Sequence, residues 1–121
     1  MNGLKYDDGK PMLDLIPPEA IMAIGKVMTY GAMKYGPNNW QGVEPRRYVA
    51  ALLRHLMAYQ AGEMDDPESG MPHLWHVATN VAFLVTLMDR GRCAKWADQG
   101  GANTADKETT KSHDPVLSAG A

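Results

Sequence analysis

The stretch Arg54–Asn80, RHLMAYQAGEMDDPESGMPHLWHVATN, decides the reading of this 121-residue chain. It holds three of the four histidines and four acids within six residues, Glu63, Asp65, Asp66 and Glu68. Asp66 precedes Pro67, and a residue before proline avoids the helical region, so a helix entering from the N-terminal side has to stop here. Both flanks carry helical periodicity. The pattern is two helices joined by a tight acidic turn, with metal-ligand residue types on either side of the bend.

Working back from the bend, a helix is expected from about Pro45 to Gly62, with Val49, Leu52, Leu53, Leu56 and Met57 as its apolar stripe. Arg47 and Arg54 are seven apart and share another face. Before it, Tyr35–Gly42 (YGPNNWQG) reads as a loop. Its Trp40 either plugs the core or offers a stacking face to a base, with Asn38 or Asn39 bonding the base edge. An earlier helix starts at Pro17-Pro18-Glu19, with proline in its first turn and an acid at the positive end of its dipole. It carries Ala20, Ile24, Val27, Met28 and Gly31 at helical spacing and stops near Tyr35, where Gly36 caps it and Pro37 forbids continuation. Residues 1–16 read as an extended arm. Leu13, Leu15 and Ile16 are placed to pin it to the core, or Lys5 and Lys10 to contact phosphate.

Working forward, a third helix runs from near Pro72 to Arg90-Gly91 and is apolar around most of its circumference, as a central bundle helix is. His73, His76 and Asn80 form one stripe, i, i+3, i+7, which continues as Phe83 and Leu87. Buried polar groups need partners, so this stripe is not easily read as mere surface. After Gly91 the chain turns small and polar without periodicity. The division is a helical domain over 1–95 and a disordered tail over 96–121.

Composition narrows the class. Hydrophobic residues make up 45% and Met numbers nine against one Phe, so the core is aliphatic. One cysteine excludes a disulfide framework and a Cys-rich zinc site. No apolar run reaches a membrane span and the N-terminus is no signal peptide, so a cytoplasmic protein is expected. Of 14 acids four lie in the bend; set aside, the 12 Lys and Arg outnumber the remaining 10. The net charge of −2 does not suit a nucleic-acid polymer.

Clustered carboxylates are hard ligands for Mg²⁺ or Mn²⁺, and added imidazole tilts the choice towards Mn²⁺. The candidate metal ligands are Glu63, Asp66, Glu68, His73, His76 and Asn80, with Glu63, Asp66 and His76 as catalytic candidates. Asp65 reads as a solvated corner. A cation held by carboxylates commonly meets phosphate, for which Lys10, Lys34 and Arg54 are candidates, helped by Arg47. His55, Asn39 and Trp40 complete the substrate-binding set. An HD-type site would need His113-Asp114, which lies in the tail, and Ser69 lacks a nucleophile-elbow motif.

Three segments together, KYDDGKPMLDLIPPEA, MTYGAMKYGPNNW and RRYVAALLRHLMAYQAGEMDDPESGMPHLWHVATNVAFL, resemble the phage-associated dATP/dGTP diphosphohydrolases, relatives of the MazG-like all-α pyrophosphohydrolases, over about residues 5–90. The resemblance is closest to MazZ-type members. It implies an all-α MazG-like bundle; since the other helices cannot fully cover a third helix this apolar, oligomerisation is expected to complete it, as a homodimer or homotetramer. It also implies cleavage of a purine (deoxy)nucleoside triphosphate between α and β phosphates, with dGTP or GTP as substrate and dGMP feeding 2-aminoadenine nucleotide synthesis. A dATP-preferring enzyme and a non-catalytic helical binding module are the rival readings. MazG-like enzymes carry ExxE on one helix and ExxD on the next. Here Glu63-x-x-Asp66 matches the first pair at best, and His73-x-x-His76 stands in place of the second.

Overall fold

A computed structural model describes residues 3–91 of the chain. The proposed tail over 96–121, the end of the 1–95 domain and the His113-Asp114 pair fall outside the described residues. Within them the structure is all-α, with three helices: α1 (Pro18–Tyr35), α2 (Pro45–Gln60) and α3 (His73–Asp89). Two short 3₁₀ turns, Leu13–Leu15 and Asn39–Gly42, precede α1 and α2.

The boundaries follow local chemistry. Proline opens α1 and α2, where its missing N–H is no loss. Gly36, at φ 97°, closes α1. At the end of α2 the Glu63 amide bonds the Ala58 carbonyl at 3.0 Å and the Gly62 amide bonds Tyr59 at 3.0 Å. Gly62 sits at φ 104°, so this is a Schellman cap, a conformation that side chains resist.

Helix α3 packs against both other helices. Its contacts with α2 pair Tyr48 with Phe83 and His55 with His76. Each pair member lies seven residues from its fellow on the same helix, so α2 and α3 run antiparallel and in register. At 1.5 Å per residue the two layers are about 10 Å apart. Fully buried Ala51 lies between them on α2 and lets the helices approach. One layer is apolar: Val27, Val43, Tyr48, Phe83 and Leu87 form the core, with Trp40 stacked on Phe83 at 4.7 Å. The Tyr48 hydroxyl donates to the Trp40 carbonyl at 2.7 Å, tying the loop to α2. The other layer is imidazole.

Two expectations are corrected. The buried face of α2 is Pro45, Arg47, Tyr48, Ala51 and His55, not the leucine stripe; Leu53 is 50% and Met57 64% exposed. The α3 stripe facing α2 is itself polar at one end, so α2 answers with His55 and leaves its leucines outside. Arg47 is thereby buried while Arg54 is exposed. The arm also fails to dock: Leu13, Leu15 and Ile16 are all exposed. The α3 stripe itself, His73, His76, Asn80, Phe83 and Leu87, is buried throughout.

Because Phe83 joins Trp40, Tyr48 and α3, Phe83→Ala is expected to cost about 3–5 kcal/mol in urea unfolding. Tyr48→Phe, which removes the hydroxyl that donates to the Trp40 carbonyl, is expected to cost about 1 kcal/mol.

Candidate metal centre

The turn between α2 and α3 is built to hold the start of α3 against the end of α2. The Asp66 amide bonds the Met71 carbonyl at 2.8 Å, and the Gly70 amide returns to the Asp66 carbonyl at 2.7 Å. The Asp66 carboxylate accepts the Ser69 amide at 3.0 Å. The His73 amide, which as the first of its helix has no intrahelical acceptor, bonds the Met64 carbonyl at 2.9 Å. Asp66 is thus drawn inward and buried, while Glu63, Asp65 and Glu68 stay exposed.

Inside this turn the imidazoles meet. His55 Nδ1 lies 2.8 Å from His73 Nδ1. The far nitrogen of His73, Nε2, bonds Glu63 Oε1 at 2.7 Å. His76 stacks on His55 with ring centres 4.4 Å apart, and its Nε2 bonds the Ser69 hydroxyl oxygen at 2.7 Å. That same oxygen accepts the Met71 amide at 3.2 Å. Asp66 Oδ2 is 3.7 Å from His76 Nε2.

His55, Asp66 and His73, all buried, each bring one ligand atom within 4.8 Å of the others. The donor set fits a divalent cation on two counts. Two imidazole nitrogens that both ligate one ion at about 2.1 Å stand roughly 3 Å apart, close to the separation here. The Nδ1 of fully buried His76 also has no hydrogen-bond partner among the described residues, so this layer is not closed as a purely structural network. Two nitrogens and a carboxylate suit Mn²⁺ or another transition ion better than Mg²⁺, which prefers oxygen.

The electrostatics keep the donors ready. Burial pushes the His55 pKa down from 6.5 to about 4, with the His76 and His73 rings and Arg54 adding to the effect and Asp66 opposing it. His76 is lowered too, by burial first, against the pull of Asp66. For Asp66 burial acts upward, but the Ser69 hydrogen bonds and the neighbouring imidazoles outweigh it, so the carboxyl lies below its ordinary value. A neutral imidazole and an ionised carboxylate are the forms that bind cations.

The remaining candidates fall elsewhere. Glu68 and Lys34, one expected on metal and the other on phosphate, form an ion pair with each other at 2.9 Å, and this carboxylate raises the lysine pKa. Asn80 donates to the His76 carbonyl at 2.7 Å, one turn back on its own helix. Trp40 packs on Phe83 beneath the Arg90 guanidinium, and Phe83 is ten residues from His73, about 15 Å along α3. Arg54 and Lys10 are exposed, and Asn39 is half-buried in the loop. Two residues gained a place that spacing did not give them. His55, expected among the substrate-binding residues, lies beside His73 and Asp66, and Ser69 links Asp66 to His76. The antiparallel register that pairs Tyr48 with Phe83 was the signal for the first.

Residues 1–99 match the family model described as dATP/dGTP diphosphohydrolase, N-terminal, and the chain belongs to that family. It is 35% identical over 89 residues to a Salmonella phage PMBT28 protein named dATP/dGTP diphosphohydrolase. The match covers 74% of this chain and 31% of that relative, so the chain spans less than a third of the relative's length. No solved structure matches it. Among the described residues no helix is long and apolar enough to cross a membrane.

The unfolded chain protonates His55 near pH 6.5 and the folded chain only near pH 4. Between these values the unfolded state binds more protons, so the metal-free protein loses stability as pH falls through the window. Thermal melts in chelator are expected to hold level above pH 7 and to drop from 6.5 to 4. In His55→Leu the drop is expected to be smaller.

Proposed function

We propose that this domain is a metal-dependent (deoxy)nucleoside triphosphate pyrophosphohydrolase of MazG-like architecture. The observation that carries the reading is the buried His55–Asp66–His73 group in a chain of the dATP/dGTP diphosphohydrolase N-terminal family. The substrate we favour is dGTP or GTP, giving the monophosphate and pyrophosphate for phage 2-aminoadenine nucleotide synthesis. A dATP preference is the nearest alternative, since base choice rests on a few hydrogen bonds.

In the reaction, water adds at phosphorus while the bridging bond between α and β phosphates breaks and pyrophosphate leaves. A divalent cation held by His55, Asp66 and His73, when bound, supplies charge neutralisation to the phosphate oxygens. Lys34 stands beside the acidic turn on its Glu68 partner and can exchange that carboxylate for phosphate. Arg54, exposed on α2 next to His55, and Lys10 on the exposed arm are the further phosphate candidates. Asn39 and Trp40 remain the candidates for base and sugar. His76, buried and bonded to Ser69, steadies the turn that carries Asp66.

We also propose that a second copy covers the outer apolar surface, in a homodimer or homotetramer. Leu53, Leu56 and Met57 on α2 and Val81, Val85 and Met88 on α3 are exposed in one chain. Faces of this kind mark association surfaces. Light scattering is expected to give two or four times the 13.2 kDa chain mass, and a monomer at micromolar concentration contradicts it.

The family match concerns an N-terminal region, and the relative is more than three times as long as the matched stretch; this favours one rival, a non-catalytic nucleotide-binding module. A panel of the four dNTPs with Mn²⁺ and separated products decides. The expected outcome is dGTP converted to dGMP and pyrophosphate, slowed roughly 100-fold or more by Asp66→Asn, since several kcal/mol of charge stabilisation are lost. Turnover of no dNTP favours the module, and stepwise release of single phosphates contradicts the mechanism.

A further inference from the structure

Glu63 reads from sequence as a metal ligand, yet it stands outside the group of three and touches the opposite edge of the His73 ring. Its side chain is 53% exposed, whereas that of His73 is 5% exposed. An ionised carboxylate only accepts hydrogen bonds, so at 2.7 Å the His73 Nε2 carries the proton and donates it. In the neutral ring that leaves the lone pair on Nδ1, the nitrogen 2.8 Å from His55 Nδ1. The position of Glu63 is itself fixed, because its amide closes the Schellman cap of α2 on Ala58.

We propose that Glu63 is a positioning residue, which holds His73 in the tautomer that turns Nδ1 towards the ion site, and is not a ligand. The proposal rests on reading His55, Asp66 and His73 as that site. A carboxylate behind a ligating imidazole fixes the ring and raises its basicity. Without it, His73 is free to place its proton on Nδ1, against His55, and to hide the lone pair an ion needs. With it, the proton that joins the two Nδ1 atoms in the metal-free protein belongs to His55, and a cation arriving between them displaces only that one. The Glu63 side chain is more than half exposed and is not a member of the hydrophobic core.

The test is Mn²⁺ alone, titrated calorimetrically into the 121-residue chain and its Glu63→Ala, Glu63→Gln and Asp66→Asn variants. It is paired with ¹⁵N NMR of the imidazoles in the metal-free proteins, and thermal melts confirm that each variant is folded. Glu63→Ala is expected to weaken Mn²⁺ binding about 10- to 100-fold and to remove the Nε2–H preference of His73. Glu63→Gln keeps an acceptor oxygen and is expected to recover part of both; Asp66→Asn is expected to bind worst with the His73 tautomer intact. Unchanged affinity or an unchanged His73 tautomer in Glu63→Ala overturns the proposal while leaving the ion site standing. A Glu63→Gln variant that binds as poorly as Asp66→Asn makes Glu63 a ligand and overturns it too. Failure of the unaltered chain to bind Mn²⁺ removes the ion site and the proposal together.

Discussion

Two imidazole nitrogens, from His55 and His73, face each other at 2.8 Å inside a helix–helix interface, and something positive has to lie between them. Two lone pairs at that distance repel, so either a proton or a cation must join them. The rest of the α2–α3 corner answers to this constraint. Glu63 occupies the other side of His73, Asp66 is turned inward by Ser69, and His76 stacks on His55. Burying an unpaired polar group costs several kcal/mol, so a cluster of this size persists only when its members satisfy one another or bind something.

The helical scaffold divides the labour along its length. An aromatic and aliphatic layer around Tyr48, Phe83 and Leu87 supplies the stability. Two turns further along, the same pair of helix faces brings the imidazoles together. The acidic turn is shared between them: its backbone bonds stitch α2 to α3, and its one buried carboxylate enters the polar layer. Placing His55 and His73 on two helices, and Asp66 in a turn tied by several backbone hydrogen bonds, leaves the group little freedom to rearrange.

Much of this was legible in the chain. Prolines and glycines gave the helix limits to within a residue or two, because caps are local chemistry. The stripe from His73 to Leu87 was equally readable, since α3 is so apolar that its few polar residues define a face. The inner face of α2 was not. Its leucines at 52, 53 and 56 outweigh Tyr48, Ala51 and His55 on any hydrophobic count, and the decision lay in what α3 presents to it. The arm failed for a related reason: Leu13, Leu15 and Ile16 are apolar, but among the described residues nothing covers them. Glu63 and Glu68 read alike as acids near a bend. Only tertiary contacts separate one that braces His73 from one that pairs with Lys34.

The central claim is that His55, Asp66 and His73 together hold a divalent cation. Anomalous diffraction from crystals grown with Mn²⁺ tests it most directly. One peak is expected about 2.0–2.3 Å from His55 Nδ1, His73 Nδ1 and an Asp66 carboxylate oxygen, with Glu63 outside the coordination sphere. A peak lying instead among Glu63, Glu68 and solvent, or none at all with the His55–His73 contact unchanged, would contradict it.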